Sequence, residues 1–105
     1  MIYQAALVQY FEIISELAWK VLRDILIHEG VENVNTPRTV LKEALKAGFI
    51  DDGDTWMRVI DDRNKTSHIY SEEIAQDVLL NIENDYEKLF ENFKAFLESY
   101  QIRAK

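Results

Sequence analysis

The sequence predicts an all-α protein, folded as an antiparallel up-and-down four-helix bundle. Apolar residues recur every three or four positions through most of the chain, which is the spacing of one helix face. Three glycines and one proline among 105 residues leave few places to turn, and this favours long helices. Because each helix has one apolar face to bury and no strand competes for it, a bundle follows.

The first helix is predicted from about Tyr3 to Glu29. Its apolar stripe is broad, which indicates contact with more than one neighbouring helix. Gly30 is expected to end the helix, because glycine readily takes the left-handed conformation after a last helical turn. The stripe consists of Leu7, Val8, Phe11, Ile14, Ala18, Val21, Leu22, Ile25 and Leu26.

Three further helices are predicted from their capping residues. Thr36 is expected to cap the second helix, with Pro37 at its first position, and Gly48 to end it. Asp54 is predicted to cap the third helix and Ser71 the fourth. The apolar faces of these helices are formed by Val40, Leu41, Ala44 and Leu45, then by Trp56, Val59 and Ile60, and then by Ile74, Val78, Ile82, Tyr86, Leu89, Phe93 and Leu97.

Length and composition narrow the classes of function. The 105 residues correspond to a single domain, residues 1–105. The absence of cysteine excludes disulfides and thiolate metal sites, and it fits a reducing cytoplasm. No apolar run approaches the ~20 residues of a membrane span. The net charge of -7 opposes binding to DNA or RNA unless basic residues cluster locally. We therefore expect a cytoplasmic protein with neither a membrane nor a DNA partner.

The stretch "DDRNKTSHIY", residues 61–70, contains the residues with the clearest chemical potential, namely Arg63, His68 and Tyr70. On a straight helix Tyr70 returns to within about 20° of Arg63, whereas His68 lies about 140° away. All three converge only if the helix ends or bends between Asn64 and His68. The weak helix formers in between permit such a break.

Two interpretations of this stretch remain open. In the structural one, Arg63 pairs with Asp61, Asp62 or a glutamate of the fourth helix, and Tyr70 is a core aromatic. In the chemical one, the arginine binds a phosphate and His68 transfers a proton, which suffices for cleavage of RNA without a metal ion. Spacing alone favours the structural interpretation, because structural ion pairs outnumber active sites.

Three ordered blocks of sequence carry a family resemblance. They are "ELAWKVLRDILIHEGV", "PRTVLKEALKAGFIDD" and "TWMRVIDDRNKTSHIY", and the last contains the pattern R-x4-H-x-Y. Together they resemble the nucleotidyltransferase substrate-binding protein family, and specifically the HepT-like group of HEPN-domain proteins, across nearly the whole chain. The resemblance implies an up-and-down helical bundle that forms homodimers. Its implied partner is a minimal nucleotidyltransferase encoded nearby.

The resemblance also implies roles for individual residues. In the HepT-like group this subunit is similar to a metal-independent RNase toxin whose antitoxin is the nucleotidyltransferase. Arg63 and His68 fall on the positions assigned to the RNase, and Tyr70 on the tyrosine that the partner is thought to modify with AMP. Trp19, Asn64 and Ser67 are further candidates for lining a pocket. No cofactor and no metal are expected.

Two functions of different classes remain open. The first is an RNase with a composite site across a dimer, and the second is a non-catalytic subunit that presents a substrate to the nucleotidyltransferase. The intact Arg63, His68 and Tyr70 favour the first, whereas the charge of -7 favours the second. Family members usually carry another helix before "ELAWK". Here we expect that helix to be absent and its packing to come from a second copy of the chain.

Overall fold

The computed structural model describes the backbone of residues 2–68 and 71–104 and the side chains of residues 5–66 and 71–100. These residues form helices and no strand, which confirms the predicted all-α bundle. No helix in this part of the chain is both long and apolar enough to cross a membrane. The elements are α1 (Ile2–His28), α2 (Pro37–Lys46), α3 (Gly53–His68), α4 (Glu72–Asn81), a π-helical turn (Ile82–Tyr86) and α5 (Glu87–Ala104).

Two of the three predicted N-terminal caps are confirmed. The side-chain oxygens of Thr36 and Ser71 cap α2 and α4. The prediction for the third helix was wrong by two residues, because Asp52 rather than Asp54 accepts a hydrogen bond from the backbone N–H of Thr55, at 3.2 Å. Asp54 lies inside the first turn, where its charge favours the positive end of the helix dipole.

Glycines end the first two helices, as predicted. Gly30 follows α1 with a φ of 86°, and Gly48 follows α2 with a φ of 78°. In this left-handed region a Cβ atom is strained, so glycine suits both positions.

Helix α1 is the central element of the bundle and packs against α2, α3 and α4. The residues that widen its stripe, Val8, Leu22 and Leu26, are all buried within the monomer. Contacts inside one chain therefore account for the breadth of the stripe. A different flank of α1 leaves large apolar side chains exposed, namely Tyr10 (63%), Ile13 (53%) and Leu17 (57%).

The π-helical turn joins α4 and α5 into one rod, the predicted fourth helix. Its apolar residues Ile74, Val78, Ile82 and Tyr86 follow each other at intervals of four. In a regular α-helix each such interval moves a side chain about 40° round the axis, away from the core. The wider π turn offsets this drift. Tyr86 is consequently fully buried and stacks on Phe11, with ring centroids 5.4 Å apart.

Helix α5 meets the rest of the bundle mainly through aromatic side chains. Phe90 and Phe93 contact Trp56, with centroid distances of 6.0 and 5.6 Å, and Phe96 contacts Phe49 at 5.2 Å. An apolar groove lies between α1 and α5.

Candidate functional site

The R-x4-H-x-Y pattern begins on the last turns of α3, which remains α-helical through His68. The hydroxyl of Thr66 donates to the backbone carbonyl of Arg63 at 2.9 Å. This hydrogen bond lets Thr66, a weak helix former, remain inside the helix. Regular geometry therefore places positions 63 and 68 of one chain about 140° apart round the helix axis. The side chains of Ser67 and His68, and all of Tyr70, lie outside the described residues.

Arg63 is held by α1. Its Nη2 lies 3.0 Å from Oε2 of Glu16, and each of the two side chains is about one-third exposed. The structural interpretation expected Asp61, Asp62 or a glutamate of the fourth helix, and it was wrong about the partner. Asp61 pairs with Arg38 of α2, and Asp62 belongs to a separate buried network.

Glu16 gathers three donors around one carboxylate. Besides Arg63 it accepts a hydrogen bond from Nε1 of Trp19 at 3.2 Å, and Nζ of Lys20 lies 3.3 Å from its other oxygen. Burial raises the pKa of Glu16, but the hydrogen bonds from Trp19 and Lys20 and the charge of Arg63 outweigh it. The pKa therefore lies below its usual value. The ionised carboxylate fixes one edge of the Arg63 guanidinium.

Arg63 keeps a donor that the described residues do not use. Its Nε is buried and has no hydrogen-bond acceptor among them. A buried N–H without a partner costs about 1–3 kcal/mol, so its presence in a folded protein calls for an explanation. This Nε has no contact with solvent, so an anion can accept its N–H only if the neighbouring side chains move aside. Arginine binds phosphate oxygens through two parallel N–H donors.

The surface around Arg63 differs in charge from the acidic chain as a whole. The Glu16 cluster consists of Glu16, Trp19, Lys20, Arg23 and Arg63. It contains three cations and one carboxylate, and Asp24, which pairs with Arg23, adds a second carboxylate beside it. The guanidinium of Arg23 lies over the indole ring of Trp19, 5.3 Å from its centroid, and also pairs with the aspartate beside it. With Asp24 counted, the three cations exceed the two carboxylates by one charge, and a local excess of positive charge favours contact with a phosphate backbone.

A buried polar network next to Arg63 was missed by the sequence analysis. Asp62 is only 5% exposed, and its Oδ2 accepts hydrogen bonds from the Tyr86 hydroxyl at 2.5 Å and the Asn81 amide at 2.8 Å. Burial and the Asp62 carboxylate raise the pKa of Tyr86, so the hydroxyl keeps its proton and donates. The network joins α3 to the π turn and thereby positions the helix that carries Arg63.

The residues predicted to line a pocket are only partly described. Trp19 packs in part against the core and belongs to the Glu16 cluster, whereas Asn64 is exposed on α3. Neither residue lines the groove between α1 and α5 or the smaller cavity beside Gly48. A pocket formed by these residues and Ser67 stays a prediction.

Comparison with known proteins agrees with the resemblance in the sequence. The family model described as "Nucleotidyltransferase substrate binding protein like" matches residues 1–99. The probable ribonuclease HepT of Haemophilus influenzae is 32% identical over 84 residues. This alignment covers 76% of the present chain and 58% of the relative, so the chain spans somewhat more than half of the relative's length. The family match takes in nearly the whole chain, which therefore belongs to the nucleotidyltransferase substrate-binding protein-like family.

Proposed function

We propose that this protein is a HepT-like toxin subunit that cleaves RNA in the cytoplasm without a metal ion and is silenced by a minimal nucleotidyltransferase. The observation that carries the proposal is Arg63, which lies in a locally basic cluster and whose buried Nε–H has no acceptor among the described side chains. The same helix carries His68 five positions later. The similarity to a relative named as a probable ribonuclease supports the same class of reaction.

The proposed reaction is transesterification of the RNA backbone. The 2′-oxygen of a ribose loses its proton to a base and attacks the adjacent phosphorus, the bond to the 5′-oxygen breaks, and that oxygen gains a proton. His68 serves as the base or as the acid, since an imidazole titrates near neutral pH. Arg63 stabilises the negative charge that develops on the non-bridging oxygens. The products are a 2′,3′-cyclic phosphate and a 5′-hydroxyl.

An RNA-cleavage assay tests this proposal. The protein is incubated with labelled RNA in EDTA, and the ends of the fragments are identified. We expect cleavage that EDTA does not inhibit, with 2′,3′-cyclic phosphate at the new 3′ ends, because no metal is proposed to activate water. Fragments with a 3′-hydroxyl, or activity lost on adding EDTA, would contradict the mechanism.

The geometry of α3 favours a site shared between two chains. Since positions 63 and 68 of one helix lie about 140° apart, we propose that Arg63 of one chain acts with His68 of a second copy. We therefore predict a homodimer, formed on the flank of the bundle that carries the Glu16 cluster. Light scattering at micromolar concentration should give twice the mass of one chain. A stable monomer that retains full RNase activity would rule out the shared site.

We further propose that the nucleotidyltransferase transfers AMP to Tyr70. The phenolic oxygen attacks the α-phosphorus of ATP, pyrophosphate leaves and the phenol proton passes to solvent. The added phosphate places negative charge and bulk close to Arg63 along the chain, and thus competes with RNA for the guanidinium.

Mass spectrometry after incubation with the nucleotidyltransferase, ATP and Mg²⁺ checks this prediction. The wild type and Tyr10→Phe should gain one AMP each and lose RNase activity. Tyr70→Phe should gain none and stay active. A mass gain that persists in Tyr70→Phe would place the modification elsewhere.

A second function is favoured by the net charge of -7 and by the description of the family. In it the chain is a non-catalytic subunit that presents a substrate to the nucleotidyltransferase. Loading of AMP onto an RNA or another substrate, only when both proteins are present and without RNA cleavage, would establish this alternative.

A further inference from the structure

The apolar groove between α1 and α5 has no role in the proposed reaction. It has a volume of about 580 Å³ and is open to solvent along one side of the bundle. Its floor and walls are mainly apolar, formed among others by Leu7, Tyr10, Ile14, Ile82, Phe90 and Leu97. An open apolar surface of this kind on a soluble domain marks a site of interaction with another molecule.

The exposed flank of α1 continues the apolar surface beyond the groove. Tyr10 belongs to both, and Ile13 and Leu17 extend the surface along the helix, each of the three more than half exposed. The groove faces away from the Glu16 cluster, because Ile14 and Glu16 lie about 160° apart round the axis of α1. A dimer formed through the cluster would therefore leave this groove open. Ile13, only about 60° from Glu16 round the axis, lies nearer to the cluster.

The charges on the rim of the groove select the partner. Glu83, Glu87 and Glu91 follow each other at intervals of four along the π turn and α5, and all three are exposed. Lys94 is the single basic residue lining the groove in the described part of the chain. A second copy of this chain, with its net charge of -7, would bring more carboxylates to this rim. A partner with lysines or arginines beside its apolar surface would instead pair with it.

The longer wall of the groove fits a helix. The π turn and α5 rise about 22 Å from Ile82 to Leu97, the length of an α-helix of about 15 residues, whereas the wall on α1 rises about 10 Å from Leu7 to Ile14. We propose that the groove binds an amphipathic helix of another polypeptide. The apolar residues of that helix, spaced i, i+3, i+4 and i+7, enter the groove, and its flanking lysines or arginines meet the three glutamates.

Binding of synthetic peptides tests this proposal by fluorescence anisotropy. The first peptide has about 15 residues, with leucines on one helix face and lysines beside them. The second keeps the leucines and replaces each lysine by glutamate, and the third has the composition of the first with the helical spacing scrambled. We expect the first to bind at least about tenfold more tightly than the others. Equal binding of the first and third peptides would show that composition rather than a helical apolar face determines binding, and would overturn the proposal.

Variants of the groove separate its apolar and charged parts. Tyr10→Asp adds a negative charge, so a loss of about tenfold in affinity for the lysine peptide can come only from the apolar surface. Glu87→Gln with Glu91→Gln should weaken binding about fivefold at low salt. Glu32→Gln with Asp77→Asn changes the net charge equally at exposed positions outside the groove and should have no effect.

The oligomeric states of the wild type and Tyr10→Asp show whether a second copy of the chain or a foreign helix occupies the groove. Circular dichroism first establishes that Tyr10→Asp, a change at an exposed position, keeps the helical content of the wild type. Sedimentation then compares the two proteins. If the wild type self-associates and Tyr10→Asp does not, a second copy occupies the groove, and the proposal is wrong. If Tyr10→Asp keeps the oligomeric state of the wild type but loses the lysine peptide, the groove binds a foreign helix.

Discussion

Arg63→Ala and His68→Ala are each expected to lose RNase activity by a factor of ~10² or more. The two side chains perform separate tasks, since the guanidinium binds the phosphate and stabilises its charge, whereas the imidazole moves a proton. An alanine side chain can neither bind a phosphate nor move a proton. Arg63→Lys should recover part of the activity, because an ammonium keeps the charge but lacks the planar pair of donors.

The chain offers a matched control for each variant. His28, the other histidine of the sequence, is exposed at the end of α1. Arg38 is an exposed arginine of α2 that pairs with Asp61, as Arg63 pairs with Glu16. His28→Ala and Arg38→Ala should keep full activity. An ion pair exposed by one-third contributes only ~0–1 kcal/mol, so Arg63→Ala should remain folded, which circular dichroism checks.

A mixing experiment tests whether the site is shared between chains. Arg63→Ala and His68→Ala chains are unfolded together, refolded and assayed. If each site takes Arg63 from one chain and His68 from the other, half of the dimers are mixed and each has one intact site. About one quarter of the wild-type activity should return. If both residues of a site belong to the same chain, mixing restores nothing. If the wild type cleaves RNA no better than His68→Ala, the substrate-binding subunit becomes the better account.

The helices and most of their ends were predictable because they depend on local chemistry. The capping oxygens of Thr36 and Ser71 and the glycines after α1 and α2 act within a few residues of their own positions. The third cap was assigned to the wrong residue because "DDGD" offers several aspartates, each able to cap. Asp52 is the cap because its carboxylate accepts from the backbone N–H of Thr55, and composition alone does not distinguish it from Asp54.

The partners of the site residues were not predictable from spacing, because they join positions that are distant in sequence. Arg63 binds Glu16, forty-seven positions earlier, while its neighbours Asp61 and Asp62 bind other groups. The sequence contained one signal for the Glu16 cluster and one for the Asp62 network. Glu16 and Trp19, spaced as i and i+3, share one face of α1, where a carboxylate can accept from an indole N–H. Asp62 follows the buried Val59 by three positions, which places a carboxylate on an inner flank of α3.

Tyr86→Phe is expected to lower the free energy of unfolding by about 1.5–3 kcal/mol, the usual value of a hydrogen bond to a charged group. The change removes the hydroxyl that donates to the buried Asp62 at 2.5 Å and leaves the ring and its packing on Phe11 in place. In this variant the Asn81 amide is the one close hydrogen-bond donor left to Asp62 among the described residues. Urea unfolding at neutral pH measures the loss. Tyr10→Phe is the matched control, because Tyr10 is 63% exposed, and it should change nothing.

Ionisation of the Tyr86 hydroxyl should also make the folded protein less stable at alkaline pH. In the unfolded chain Tyr86 ionises near its ordinary pKa of about 10, whereas burial and Asp62 keep it protonated in the folded protein to a higher pH. Above pH ~10 the unfolded state therefore binds fewer protons than the folded state, and the stability contributed by Tyr86 falls by about 1.4 kcal/mol per pH unit. Below that pH its contribution is fully present. The wild type and Tyr86→Phe should thus differ most at neutral pH and converge towards pH ~11. A difference that stays constant over this range would mean that Tyr86 ionises equally in both states and does not donate to Asp62.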